Sequence, residues 1–305
     1  MKLKIISLLL LFAVSAKLYA QQDAMYSQYM FNMLAVNPAY AGSRDVISMT
    51  ALQRWQWTKI EGAPRSSTFS ADMPLAKERV GVGVQLFRDK VGVTSTTGMT
   101  GSYAFRIRFK NSGTLALGLQ AGLVQYSANL LEVLPTTTTG SDAAFSQNIN
   151  KVMPNFGSGI YYSTDKFYVG FSAPHLLNNK LSKNTTAQSI QRKHYFAMAG
   201  VVLPISYRFK LKPSLLIKYV NGAPVEIDLN TNVWYKDILS IGVSYRTGDA
   251  VIGLFEIQAT QKIKFGYAFD YTLTRLGKYS SGSHEIMLRY EFGSDKSMIL
   301  SPRYF

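Results

Sequence analysis

Several residue types and motifs are scarce or absent, and each absence removes a class of function. No cysteine occurs in the 305 residues, so the chain forms no disulfide bond and offers no thiolate to a metal. The three histidines, His175, His194 and His284, are far apart in sequence and show no ligand spacing. With no paired acidic cluster beside them, we expect no transition-metal site and no cofactor. Neither a Gly-x-Ser-x-Gly motif nor a phosphate loop is present, and we expect the protein not to be an enzyme.

Charged residues are also few, at 17% of the chain, yet they are strongly unbalanced. Lysine and arginine number 33 against 18 acidic residues, which gives a net charge of +15. A basic balance raises nucleic acid as a partner. No helix-turn-helix, zinc-finger or RNA-binding signature accompanies it, so we expect no nucleic-acid partner. The alternative is a basic surface or lumen that faces phosphorylated lipid or an acidic protein.

Long apolar runs are missing after the first twenty residues. Residues 1–20 have the pattern of a signal peptide, with Lys2 and Lys4 before an apolar stretch from Ile5 to Ala16 and a small residue, Ala20, at the cleavage site. The stretch is too short to span a membrane as a helix. Among exported proteins without a spanning helix, only a β-barrel is integral to a membrane.

Period-two alternation dominates the chain from residue 45 to residue 293 and predicts strands. In one example, Tyr103, Phe105, Ile107 and Phe109 alternate with Ser102, Ala104, Arg106 and Arg108. One face is apolar or aromatic, and the other mixes small, polar and charged residues, as in a wet lumen. Aromatic residues recur near strand ends, as in interfacial girdles, and include Trp55, Tyr161 and Trp234. We predict an all-β, transmembrane antiparallel β-barrel of about fourteen strands.

The connections between the strand candidates support this prediction. Those after even-numbered candidates are short, such as Lys110–Gly113 and Thr164–Lys166, whereas most of those after odd-numbered candidates are longer, such as Asp89–Ser95 and Ser127–Lys151. Bacterial outer-membrane barrels have this asymmetry, with short periplasmic turns and longer outer loops. Thr136–Gly140, within the longest loop, is predicted to be exposed. Pro213 interrupts one candidate strand and predicts a bulge or bend there.

The stretch before the strands, residues 21–44, is dense in aromatic residues and methionine and lacks strict alternation. Asn37-Pro38 and Ala41-Gly42 divide it into a short helical or coiled piece and a turn. We predict a plug or clamp at the mouth of the barrel; the alternative is an ordinary N-terminal core segment. The predicted contact residues are Tyr26, Gln28, Tyr29, Phe31, Asn32, Asn37, Pro38 and Tyr40.

Charged residues on the small and polar faces of the strands are candidates for the lumen. They are Arg79, Arg106, Arg108, Lys262, Lys264, Asp270, Glu285, Arg289 and Glu291. Such a set could hold a guest polypeptide by charge, or it could consist of internal ion pairs that fill a closed barrel. We favour ion pairs, because a wet barrel interior needs them in any case.

The chain resembles the PorP/SprF family of type IX secretion components over its whole mature length. Tyr-Ser-Gln-Tyr-Met-Phe-Asn at 26–32 and Asn-Pro-Ala-Tyr-Ala-Gly-Ser-Arg at 37–44 are similar to the opening signature of that family. Ser301-Pro302-Arg303-Tyr304-Phe305, at the end of a C-terminal tail from residue 294, is similar to its ending.

The resemblance implies an integral outer-membrane protein of a Gram-negative bacterium, in contact with membrane lipid. It implies a role in export or surface anchoring of a partner recognised through its C-terminal domain, in contact with periplasmic secretion components, and an association with gliding motility. The alternative is a diffusion channel or fatty-acid-type transporter in which residues 21–44 form a hatch over the ligand path.

Overall fold

The computed structural model describes residues 25–76, 78–110, 113–133, 147–179 and 192–292. The predicted signal peptide, the tail from residue 294 and Thr136–Gly140 lie outside these ranges. The strands are β1 Ile47–Trp55, β2 Arg65–Leu75, β3 Val80–Val91, β4 Thr94–Arg108, β5 Thr114–Ala128, β6 Ile149–Ser163, β7 Phe167–Ala173, β8 His194–Val201, β9 Leu203–Pro204, β10 Phe209–Val220, β11 Glu226–Tyr235, β12 Leu239–Arg246, β13 Ala250–Gln258, β14 Ile263–Thr272 and β15 Ser283–Phe292. Short 3₁₀ helices are Tyr29–Phe31, Met33–Ala35, Pro38–Tyr40, Leu130–Val133 and Arg275–Lys278.

Fourteen of these strands form a closed antiparallel barrel, as the sequence predicted. Each strand pairs with its neighbours in chain order, and β1 pairs with β15 to close the ring. β9 is a two-residue continuation of β8. Closure leaves no unpaired strand edge, which is the condition for a sheet to span a membrane. In the described part of the chain, no helix is long and apolar enough to cross a membrane.

The bulge predicted at Pro213 is absent, since the registers on both sides of β10 are unchanged, but the ladder with β8 is interrupted opposite this residue. The β10–β11 ladder continues through Pro213, which is paired with Thr231. On the other side, β8 ends at Val201 and β9 begins at Leu203, in the same register. Proline has no N–H to donate to that ladder. Val202 instead donates its N–H to the carbonyl of Lys166, at 2.6 Å.

The predicted faces of the strands are separated as expected. Tyr103, Phe105 and Ile107 are exposed on the outside of β4, whereas Ser102, Ala104 and Arg106 between them are buried. The outer surface carries large apolar side chains such as Leu119, 65% exposed, and Val152 and Ile241, both 61% exposed. An apolar band of this extent is stable against lipid and would be a liability in water.

Two strand-end predictions were wrong. Tyr161 and Trp234 are buried inside the barrel rather than in an interfacial girdle. The predicted long loop Asp89–Ser95 is a tight turn at Gly92 and Val93, because β3 and β4 extend further than the sequence suggested. Gly92, with φ of +54°, supplies the left-handed backbone that this turn needs.

The barrel has two distinct ends. The turn end carries the connections 76–79, 109–113, 164–166, 205–208, 236–238 and 259–262, together with the start of β1 and the end of β15. The loop end carries the connections 56–64, 92–93, 129–148, 174–193, 221–225, 247–249 and 273–282. The longest connections therefore all lie at the loop end.

Candidate functional site: the segment inside the barrel

Residues 25–44, here called the lumen segment, lie within the barrel. Its three 3₁₀ helices, Tyr29–Phe31, Met33–Ala35 and Pro38–Tyr40, are almost wholly buried. Asn37 begins the third helix: its side-chain oxygen accepts a hydrogen bond from the N–H of Ala39 at 3.0 Å, and its amide donates to the carbonyl of Ile160 in β6 at 3.1 Å. Pro38 fits the first helical position, where no N–H is needed.

Glycines on the inner wall allow the lumen segment to approach closely. A Cβ at Gly81 would overlap the backbone of Ala41, one at Gly118 the backbone of Pro38 and Ala39, and one at Gly159 the side chain of Asn37. Any larger residue at these positions would displace the segment. Gly83, on the same face of β3 as Gly81, lies against the Leu34 side chain.

An upper cluster holds the start of the segment near the loop end. Glu285 accepts hydrogen bonds from the backbone N–H groups of Ser27 and Gln28, at 2.9 and 2.8 Å. The Ser27 hydroxyl donates to Asp270 and accepts from Arg54 at 2.7 Å. These charged groups are fully buried, so each requires its partner.

Two arginines neutralise the acids of the upper cluster. Arg54 lies 2.7 Å from Asp270 and 3.2 Å from Glu285. Arg246 lies 3.0 Å from Asp228 and 3.5 Å from Asp270. Asp270 and Glu285 thus lie in the lumen and take part in ion pairs there. Both acids also bind the lumen segment, so the wall charges hold a polypeptide as well.

A lower cluster holds the end of the segment near the turn end. The N–H of Gly42 donates to Asp72 at 2.8 Å, and Arg106 donates to the carbonyl of Gly42 at 2.6 Å. Arg44 pairs with Glu291 at 2.6 Å. Gly42 has φ of +70° and lies against Gly81, which leaves no room for a side chain. From residue 25 to residue 44, the segment therefore runs from the loop end to the turn end.

Apolar and aromatic contacts fill the space between the two clusters. Tyr40 packs edge-to-face on Tyr161, with ring centroids 5.6 Å apart, and Tyr161 packs on Tyr168. Tyr29 approaches Ser214 of β10 through its hydroxyl, at 3.3 Å.

All eight predicted contact residues of the segment lie inside the barrel. Tyr26 reaches Thr68 at 2.6 Å, and Asn32 accepts a hydrogen bond from Ser70 at 2.6 Å. Gln28, Tyr29, Phe31, Asn37, Pro38 and Tyr40 are buried. The segment extends through the lumen rather than covering only its mouth.

The predicted lumen charges divide into three groups. Asp270, Glu285, Arg289 and Arg106 are buried inside, and Lys264 and Glu291 are largely buried there, with Lys264 at 2.9 Å from Glu256. Arg108 lies at the rim, where its half-exposed side chain pairs with Asp45 and Glu78. The assignment of Arg79 and Lys262 to the lumen was wrong, because both lie in exposed turns at the turn end.

Sequence reasoning missed Arg54, Arg246, Asp228 and Asp72. Each occupies the inward register of a strand, and this register was readable from the alternation. In β2, for example, Ser66, Thr68, Ser70 and Asp72 are inward and buried. The outward residues of β1 and β2 include the polar Gln53 and Ser67, which made the alternation of apolar and polar residues weaker in these two strands. The structure also brings His175 and His194 together, with ring centroids 6.0 Å apart.

One internal cavity of about 130 Å³ lies beside the start of the segment, toward the loop end. Met25, Tyr26 and Tyr29 form one side, and Gln120, His175 and Phe196 are among the wall residues. Within the described ranges, no group of histidine, aspartate and glutamate side chains could hold a metal ion.

Comparison with solved structures finds other membrane barrels. The alignment with the Acinetobacter baumannii outer membrane protein Omp33 has 9% identity, covers 81% of this chain and 98% of that one, and has a TM-score of 0.45. The alignment with the Ralstonia pickettii toluene transporter TbuX has 9% identity, covers 85% of this chain and 93% of that one, and has a TM-score of 0.48. The alignment with the CymD monoaromatic hydrocarbon channel has 13% identity, covers 88% of this chain and 94% of that one, and has a TM-score of 0.49.

Among curated proteins, no relative matches the chain. The family described as type IX secretion system membrane protein PorP/SprF matches residues 18–290, which include the lumen segment and nearly all of the barrel. This chain therefore belongs to the PorP/SprF family of type IX secretion system membrane proteins.

Proposed function

We propose that this protein is an integral outer-membrane component of type IX secretion that acts as a closed barrel rather than as a pore. It has no enzymatic activity in this role. It assists export or surface anchoring of a partner protein recognised through its C-terminal domain, and it contacts secretion components in the periplasm. The observation that carries the proposal is the lumen segment, which is held at both ends by buried charge clusters.

The rival function is a diffusion channel or fatty-acid-type transporter, with the lumen segment as a hatch. The cavity beside Tyr29 supports it, because it lies at the loop end next to the segment. Its volume of about 130 Å³ is, however, well below the roughly 300–1,000 Å³ of ordinary ligand pockets. Transport would require release of Ser27 and Gln28 from Glu285. We therefore prefer the closed-barrel role.

Because the lumen is filled, partner proteins would bind at the two ends of the barrel. Each of the six connections at the turn end carries an exposed cation, and these six residues are here called the turn ring. They are Arg79, Lys110, Lys166, Arg208, Lys236 and Lys262. In the barrel orientation usual for short turns, this end faces the periplasm. A ring of positive charge favours an acidic protein surface there.

The turn ring predicts a salt-sensitive contact. The triple change Lys166→Glu, Arg208→Glu and Lys262→Glu should strongly reduce co-purification of periplasmic secretion components, because it replaces attraction by repulsion. The matched control is Lys59→Glu, Arg275→Glu and Lys278→Glu, three exposed cations at the loop end. Undiminished co-purification would contradict the ring as a partner surface. Loss of binding only to anionic vesicles would also contradict it, because the ring would then contact lipid.

The lumen segment is tested by removing its aromatic anchors. Tyr29 and Phe31 are 2% and 6% exposed, and each buries roughly 150–250 Å² of aromatic surface. We expect Tyr29→Ala with Phe31→Ala to leave the barrel inserted, because the strands carry their own pairing, but to stop secretion of the partner. Tyr103→Ala with Phe105→Ala removes the same groups from the lipid face of β4 and should leave secretion intact. Normal secretion and unchanged co-purification in the first variant would refute a role for the segment.

A further inference from the structure

The outer wall of the barrel carries a groove that the proposed function does not use. It has a volume of about 780 Å³ and crosses seven strands, from β15 through β1 to β6. Pairing along these strands is continuous, so the groove is an indentation of the lipid-facing surface and not an opening into the lumen.

The two sides of the groove differ in chemistry. On the side nearer the loop end, five residues that pair across neighbouring strands form a polar row. On the other side of the groove, five such residues form an apolar row. The polar row is Gln53, Ser67, Arg88, Thr97 and Gln125, and the apolar row is Ala51, Phe69, Leu86, Met99 and Leu123. Within the polar row, Ser67 donates a hydrogen bond to Gln53, and Gln125 donates one to Asn150 of β6, so the row is a continuous polar surface beside the apolar one. The groove therefore fits an amphipathic ligand.

Three outward cations lie near the loop end, and we call them the rim cations: Arg88 belongs to the polar row, and Arg65 and Lys90 lie beyond it. Arg65 and Lys90 are directly opposite each other in the β2–β3 ladder, and Arg88 occupies the diagonal position beside Arg65. All three are exposed. Like charges directly opposite each other destabilise a sheet, and an anion between them removes the repulsion.

The surroundings supply no such anion among the residues that the structure describes. Trp55 and Ser95 flank the Arg65–Lys90 pair on the neighbouring strands. Asp89, between Arg88 and Lys90 in sequence, points inward and accepts a hydrogen bond from Ser66. No described carboxylate makes an ion pair with a rim cation. A negatively charged ligand at this site would therefore remove the repulsion between the rim cations.

We propose that the groove and the rim cations bind a phosphorylated, multiply acylated glycolipid of the lipid A class from the outer leaflet. Its phosphates lie between Arg65, Arg88 and Lys90, and its sugar amides and hydroxyls meet the polar row. Its acyl chains lie along the apolar row. A glycolipid is favoured over a glycerophospholipid because one phosphate would not use three cations and a row of neutral polar side chains. The loop end is the outer end in the orientation assigned above.

The test is lipid retention by the purified full-length protein, with the number and identity of bound lipids read by native mass spectrometry. The probes are micelles doped in turn with bisphosphorylated lipid A, phosphatidylglycerol and phosphatidylcholine. We expect selective retention of lipid A, reduced at least tenfold by Arg65→Gln, Arg88→Gln and Lys90→Gln. Ala51→Phe, which fills the groove, should also reduce retention.

The matched control, Lys166→Gln, Arg208→Gln and Lys262→Gln, removes three cations from the turn end and should retain lipid A as the unchanged protein does. Equal loss in this control would overturn the proposal, since overall charge would then explain binding. Phosphatidylglycerol retained as well as lipid A would also overturn it. Heat-induced unfolding followed in detergent without lipid separates loss of binding from loss of fold, and we expect all three variants to remain folded.

Discussion

At the level of single residues, inward positions in the middle of strands were easier to predict than positions at strand ends. Asp270 and Glu285 lie within alternating runs, and both are buried in the lumen as expected. Arg79 and Lys262 each directly precede a strand, where the alternation no longer fixes the direction of a side chain. Arg54 and Arg246 also lie in alternating runs, those of β1 and β12, and could have been predicted from the same pattern. The contacts of Ser27 with Glu285 and Asp270 could not be predicted, since they join residues more than 200 positions apart.

The inner-wall glycines give a residue-scale prediction. Gly118→Val would place a side chain against the backbone of Pro38 and Ala39, so the lumen segment should leave its site while the barrel remains paired. Hydrogen exchange of the segment amides should then be faster, because local opening exposes them. Gly101→Val, on the outer face of the same region, has only distant neighbours and serves as the control. Equal protection in the two variants would mean that the close approach at Gly118 does not hold the segment.

At the level of elements, the sequence predicted every barrel strand, because period-two alternation continues through each one. The errors concern lengths: β3 and β4 meet at a two-residue turn that had been predicted as a loop. Thr94 and Ser95 are polar, so they resembled loop residues although they extend β4. Pro213 predicted a bulge or bend, whereas the structure has an interrupted ladder between β8 and β9 opposite it, with the register unchanged.

The separation of faces gives an element-scale prediction in β5. Leu119→Lys would place a charge in hydrocarbon and should cost roughly 2–4 kcal/mol near the midplane. Gln120→Lys, at the next position, faces the cavity that Asp89 also lines and should assemble better. The two variants are compared by their folding yield in lipid vesicles and by their resistance to protease. Equal assembly of both would show that β5 does not separate lipid from lumen.

At the level of the whole molecule, the barrel was predictable but the path of the N-terminal segment was not. The aromatic composition of residues 26–40 predicted that they are buried, and they are. Composition does not specify direction, however. Ser27 lies with Arg54 near the loop end, whereas β1 begins at the turn end, so residues 25–44 cross the lumen before the barrel starts. This path fills a barrel of fourteen strands, whose interior is otherwise wider than wall side chains alone can fill.

Conductance in a planar lipid bilayer tests most directly whether the lumen segment closes the barrel. The unchanged protein should show no steady conductance, because the segment and the two charge clusters occupy the lumen. A variant without residues 25–41 should show a steady, ohmic conductance, and Gly118→Val should show a fluctuating one. Steady conductance of the unchanged protein, equal to that of the deletion variant, would contradict a closed barrel and would favour the diffusion channel.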